Sequence, residues 1–343
     1  MLLAASALAS APGAHGAGTA GGAPAPTGTS PAPAPAPPPP VASPAPLPAP
    51  APVPGGPTEP FAVGLRVLRL IDHSRRIRLP DGSHVPRTLL TYVRYPALGP
   101  PSRVDVRDAP AAVSSRPFPL IVFAHGFAVT PAIYARLLAS WARAGYVVAA
   151  PVFGMESPGA PGGPTESDLG NEPADISFVI SSLLAASASP GGALQGLVDP
   201  RRVAVAGHSD GGIAALAVAY DTSFRDPRIG AALVMSGAQL SGFGGSYFPR
   251  GGPPLLATQG TADTVNPRGE TEAFFARARR PKFLLRLLGA EHLPPYTRPQ
   301  PQLGIVERVS AAFLDRYLKE RGGLGEMLAA VRFPRLATLI ARE

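Results

Sequence analysis

The sequence predicts an α/β domain, with a mainly parallel central sheet and helices on both faces. Three observations carry this expectation. Short, continuously apolar runs such as Pro119–Ala124 and Tyr146–Ala150 have the composition of strands buried on both faces. Segments with apolar residues at helical spacing, Pro131–Arg143 and Pro173–Ala186 among them, alternate with those runs, the order in which helical crossovers join parallel strands. Finally, Arg202–Ala206 leads through Gly207-His208-Ser209-Asp210-Gly211-Gly212 into the small-residue helix Ile213–Tyr220. Such a strand–turn–helix presents a serine hydroxyl at the sheet edge.

In chain order, Met1–Ala11 resembles the apolar and cleavage regions of an export signal, with Ala9-Ser10-Ala11 as the small-x-small site, but no basic residue precedes it. Residues 1–23 are therefore read as a truncated export signal and leader, the alternative being a merely alanine-rich segment. An export signal implies a secreted or cell-envelope location. Residues 24–60 hold 17 prolines, mostly alternating with alanine, and no charged residue occurs before Glu59. That composition cannot bury a core, and it predicts an extended polyproline spacer of up to about 100 Å.

The folded domain is expected over 61–323. Leu65–Leu70 and Thr88–Tyr95 flank the turn Pro80-Asp81-Gly82-Ser83 and read as an antiparallel entry to the sheet. The two apolar strands and two helices named above follow. Arg202–Ala206, Ile229–Met235, Pro254–Thr258 and Phe283–Leu287 supply the later strands, and Glu270–Ala278 and Ile305–Lys319 the later helices. No separate lid domain is expected, and residues 324–343 form a tail that reads as one more helix.

Composition excludes several classes of function. The chain has no cysteine, so disulfides, thiolate nucleophiles and zinc–thiolate sites are out. The net charge of +8 comes from arginines scattered without aromatic interleaving, which argues against nucleic-acid binding. No apolar run is long enough to span a bilayer. Nothing in the pattern calls for a metal or another cofactor, and a monomer is expected.

A serine hydroxyl is a weak nucleophile, so Ser209 needs a base, and the base needs an orienting acid. Of the six histidines, His15 lies in the leader and His73 and His84 near the entry hairpin. His208 precedes the serine, so its side chain should point away and pack. His125 precedes a glycine at a strand end and should shape that loop. His292, just beyond the strand Phe283–Leu287, is the candidate base. Asp263, beyond Pro254–Thr258, is the candidate acid. Asp221 and Asp226 read better as turn caps, and Glu291 adjoins His292 too closely to turn onto it. An oxyanion formed at Ser209 would need two donors, for which the backbone N–H groups of Phe127 and Asp210 are the candidates. Phe153, Phe243, Tyr247 and Phe248 lie on loops that would border a substrate pocket.

The motifs His125-Gly126-Phe127, Gly207–Gly212, Gly260-Thr261-Ala262-Asp263 and Gly289-Ala290-Glu291-His292, in that order, resemble the α/β-hydrolase superfamily. The likeness covers about residues 65–317 and is nearest to the branch of chlorophyllases, platelet-activating-factor acetylhydrolase-like esterases and bacterial polyester hydrolases. It implies a cofactor-free serine carboxylic ester hydrolase acting through Ser209, His292 and Asp263 on short-acyl, lipid-like or polyester substrates, small or polymeric. Asp210 departs from the apolar or basic residue expected there. A carboxylate at the pocket mouth should disfavour anionic substrates.

Two other readings use the same residues: an acyltransferase with an alcohol in place of water, and a non-catalytic hydrolase-fold binding protein. The spacer should be dispensable for chemistry in every case. Deleting residues 24–57 is expected to leave kcat on a soluble ester unchanged; a collapse of kcat would show that the segment packs on the domain.

Overall fold

The computed structural model describes residues 60–343, apart from 102–103, 240–244, 250 and 333. The leader, nearly all of the Pro/Ala segment and Phe243 therefore lie outside the described residues. A ten-stranded sheet runs through the domain in the order β10-β9-β8-β7-β6-β4-β5-β2-β1-β3. Its strands are β1 (Ala62–Arg78), β2 (His84–Ala97), β3 (Val106–Arg107), β4 (Phe118–Ala124), β5 (Val147–Val152), β6 (Val198–His208), β7 (Ile229–Met235), β8 (Leu255–Gly260), β9 (Lys282–Leu287) and β10 (Ala337–Arg342). From β5 to β9 all neighbours are parallel, whereas β1 with β2, β2 with β5 and β10 with β9 pair antiparallel, and the two-residue β3 lies parallel to β1.

Period-two alternation sends the strand side chains into two cores. Leu120, Val122 and Val205 join one core with Ile176, Val179 and Leu183 of helix α2 (Glu172–Ala188) and with α3 (Asp210–Tyr220). Phe274 of α4 (Arg268–Arg277) packs there too. Ile121, Phe123 and Ala206 join the other, with Leu137 and Trp141 of α1 (Ala135–Arg143), Phe313 and Leu314 of α6 (Pro301–Leu318), and Met327 of α7 (Leu324–Val331). The central strands β4, β5 and β8 are therefore covered on both faces, which is why the sequences of β4 and β5 read as uninterrupted apolar runs. The short helix α5 (Pro294–Thr297) precedes α6.

Strand order reverses around β4, with β5 on one side and β6 on the other. In open α/β sheets such a reversal opens a crevice beyond the carboxyl ends of the strands. Ser209 follows β6 directly, and His125 to Phe127 follow β4. Among the described residues, no separate lid domain is inserted between α3 and Asp263.

Two elements differ from the sequence reading. Strands β1 and β2 run well past their apolar cores into a polar hairpin, with a bulge between Asp72 and Arg76. Ionic contacts, which leave no apolar period to read, hold that extension down. Arg87 is nearly fully buried and reaches both Asp168 and Asp175, while Arg75 joins Asp72 to Asp175. The second difference is at residues 324–343, where helix α7 is followed by β10. Its register on β9 runs from Ala337↔Leu287 to Arg342↔Lys282, covering what would be an open sheet edge.

Breaking a buried ion network leaves uncompensated charge, typically on the order of 3–5 kcal/mol. Arg87→Ala is expected to cost that much in urea unfolding. A loss below about 1 kcal/mol, the range of exposed pairs, would show that the network does not hold the hairpin.

Candidate active site

The turn at Ser209 is made by sterics. Ser209 has φ 56° and ψ −122°, a left-handed backbone that a serine adopts only under constraint. Its N–H donates to Met235 O at 3.0 Å. A Cβ at Gly207 would lie 1.9 Å from Gly211 O, and one at Gly211 would lie 2.2 Å from Ala124 O. Only glycine lets helix α3 start this close to the ends of β6 and β4.

Asp263 and His292 come from the loops after β8 and β9, which backbone bonds tie together: Thr261 N–H to Leu287 O at 2.9 Å and Ala262 N–H to Ala290 O at 3.0 Å. His292 Nδ1 lies 2.9 Å from Asp263 Oδ2. Asp263 Oδ1 accepts the Val265 and Asn266 amides, each at 3.0 Å, and Oδ2 also accepts Gln259 Nε2 at 3.1 Å. Burial alone would raise the Asp263 pKa, but the hydrogen bonds from His292 and Asn266 outweigh it and hold the carboxyl below its ordinary value. It is thus ionised at neutral pH and fixes the Nδ1–H tautomer of His292, leaving Nε2 as the free basic nitrogen.

Ser209 and His292 meet through His208. The imidazole centroids of His208 and His292 are 4.6 Å apart, and His208 Nε2–H donates to the His292 carbonyl at 3.0 Å. Its Nδ1 accepts from the Tyr134 hydroxyl at 2.9 Å. Burial, followed by the charge of His292, pushes the His208 pKa down to about 3. His208 does pack, as its position before the serine suggests, and it also anchors the main chain of the candidate base. Sequence carried no sign of that second role, because the partner is 84 positions away. Gln259 was missed because it reaches Asp263 through a local turn that no periodicity marks. Among the described residues no direct hydrogen bond joins Ser209 Oγ to His292; such contacts are commonly long in substrate-free sites and tighten on binding.

The loop after β4 touches the serine. A Cβ at Gly126 would lie 2.9 Å from Ser209 Cβ, so this approach also excludes any other residue. His125 is fully buried, donates from Nδ1 to Gly126 O at 2.8 Å and accepts the Phe153 amide on Nε2 at 3.0 Å. Burial lowers its pKa to about 4, so it shapes the loop as a neutral side chain. Among the described residues no protein acceptor takes the Phe127 amide. The Asp210 amide, at the first position of α3, has no partner within the helix.

The aromatic residues expected around a pocket do not come together there. Phe153 is buried against His125, with ring centroids 5.0 Å apart, and acts as a support beneath the loop. Tyr247 and Phe248 are buried around Tyr220, whose ring is 4.8 Å from that of Phe248. Tyr220 ends α3, about 15 Å along the axis from Ser209 at 1.5 Å per residue. Placing Tyr247 and Phe248 at the pocket is therefore corrected: apolar loop residues here cap the far end of the helix. The exposed aromatic next to the serine is Phe127.

Residues 100–235 match the Chlorophyllase family model, a span that includes Ser209 but ends before Asp263 and His292. A ferulic acid esterase from Streptomyces cinnamoneus superposes with a TM-score of 0.61 at 22% identity, covering 82% of this chain and 96% of that one. The chain has the α/β-hydrolase fold. No curated protein matches the chain. The family match over residues 100–235 and the fold together support a carboxylic ester hydrolase.

Gly126→Ala tests the fit between loop and serine. A misplacement of about 1 Å at a reacting centre can cost on the order of 100-fold, and that loss of kcat is expected together with a lower melting temperature, in a variant still folded at the assay temperature. Retention of full kcat would show that the loop has room to yield.

Proposed function

We propose that this protein cleaves carboxylic esters through a Ser209–His292–Asp263 triad. The observation that carries the reading is the Nδ1 to Oδ2 hydrogen bond at 2.9 Å between His292 and an acid saturated with donors, set beside a serine on a strained turn. Ser209 Oγ attacks the ester carbonyl while His292 Nε2 takes its proton. The C–O bond to the alcohol then breaks, and His292 returns the proton to the leaving oxygen. Water, deprotonated by the same nitrogen, attacks the acyl-enzyme and releases the acid and Ser209.

Asp263 keeps its charge throughout, stabilising the imidazolium without taking its proton. The tetrahedral oxyanion is met by the Phe127 and Asp210 amides, a pair of donors whose loss typically costs about 3 kcal/mol each. Burial, followed by the charge of Glu166, lifts the Asp210 pKa to about 6. The residue is therefore largely ionised at neutral pH, which supports selection against anionic esters. Short-acyl, lipid-like and polyester substrates all suit this reading. The small-residue leader and the Pro/Ala segment support action outside the cell.

A fluorophosphonate probe is expected to label Ser209. Ser209→Ala should abolish both labelling and p-nitrophenyl ester hydrolysis, by at least about 10⁴-fold, with the melting temperature unchanged. Folded protein that neither labels nor turns over any ester in a panel of increasing acyl length would sink the proposal.

A further inference from the structure

Three carboxyl groups from three elements meet behind the loop that carries Phe127. Glu156 lies in the loop after β5, Glu172 is the first residue of α2, and Asp210 is the first residue of α3. Glu156 and Glu172 are completely buried. Among the described residues, none of their four carboxyl oxygens has a hydrogen-bond partner, nor has Asp210 Oδ2. A carboxylate buried with no donor is far costlier than the neutral acid, so each of the two groups is required to keep its proton.

Surrounding charges reinforce that requirement. Glu166 and Asp168 from the turn before α2, Asp175 one turn along it, and Asp210 on α3 all face the pair with negative charge. The nearby cations are committed elsewhere: Arg87 holds Asp168 and Asp175, and Arg75 holds Asp72 and Asp175. His292 acts on Asp210. The start of α2 favours a charge at Glu172, but by less than the burial of an unpaired carboxylate costs. Burial, followed by like charge, accordingly pushes Glu156 up to about 8 and Glu172 well above its ordinary value.

The pair is joined to the site through the backbone. Glu156 O accepts the Ala128 amide at 2.8 Å, next to Phe127, and Phe153 N–H holds His125 at the other end of the same loop. Ala128 has φ 54°, so the loop is bent sharply where Glu156 grips it. We propose that Glu156 and Glu172 form a protonated carboxyl pair that positions the loop carrying Phe127, and that stripping its protons switches the site off in alkaline solution. Ionisation puts negative charge behind the two amides that meet the oxyanion and drives Glu156 from Glu172. Both are positioning residues, and the proposal rests on the ester-hydrolase reading above.

The sign follows from the protons bound. The folded state keeps protons that the unfolded state releases near the ordinary glutamate pKa of 4.5. Stability from the pair is therefore complete below that value and is lost as pH rises toward about 8.

The test is kcat against pH for the full chain and for Glu156→Gln/Glu172→Gln, with melting temperature followed over the same range. In the natural chain kcat should fall at least about tenfold on an alkaline limb with its midpoint near 8, while KM changes little and melting temperature declines. The double variant, neutral at every pH, should lose that limb and flatten the melting curve. If it does not fold, Glu156→Gln alone should move the midpoint to higher pH, because the carboxyl that remains is Glu172, held further above its ordinary value. A limb at the natural midpoint in either variant, or no limb at all in a chain that hydrolyses esters near neutrality, overturns the proposal. Absence of hydrolysis at every pH would instead defeat the ester-hydrolase reading, and the melting curves would still decide whether the pair is protonated.

Discussion

The backbone of Gly211 passes so close to the ends of β4 and β6 that no side chain fits between them. That approach forces the serine into its left-handed conformation, and it decides where helix α3 can begin. The start of α3 in turn fixes the Asp210 amide, and the same crowding brings Gly126 against Ser209. A sheet whose central strands are buried on both faces supplies the rigidity needed to hold so unfavourable a turn. Strain of this kind persists only where the surroundings over-determine it.

Around that turn, buried carboxylates receive three different treatments. Asp263 is given backbone and side-chain donors and stays ionised. Asp168 and Asp175 are given Arg87, which fastens a polar hairpin to α2. Glu156 and Glu172 are given no donor at all. Composition alone cannot separate these cases, because each is an acid in or beside a loop rich in glycine and proline. The fold separates them by the partners it brings within reach.

Much of the architecture was legible because strands buried on both faces announce themselves as continuous apolar runs. Ser209, Asp263 and His292 were legible because each follows such a run at its carboxyl end. Residues acting across long sequence distances were not. His208 meets His292 only because β6 and the loop after β9 end at the same edge of the sheet. Gln259 meets Asp263 through a local turn that no periodicity marks. Tyr247 and Phe248 misled because loop aromatics look alike whether they border a pocket or close a core. Strand β10 was hidden by its brevity, since six residues with mixed burial fit neither period well.

The three histidines gathered here differ in access as well as in role. His125 and His208 are sealed under the loop and beneath Tyr134, each with its ring nitrogens engaged by protein partners. The His292 side chain retains 14% of its exposure. An imidazole-directed reagent entering this crevice would therefore find a single reactive ring, and its modification would report on the base alone.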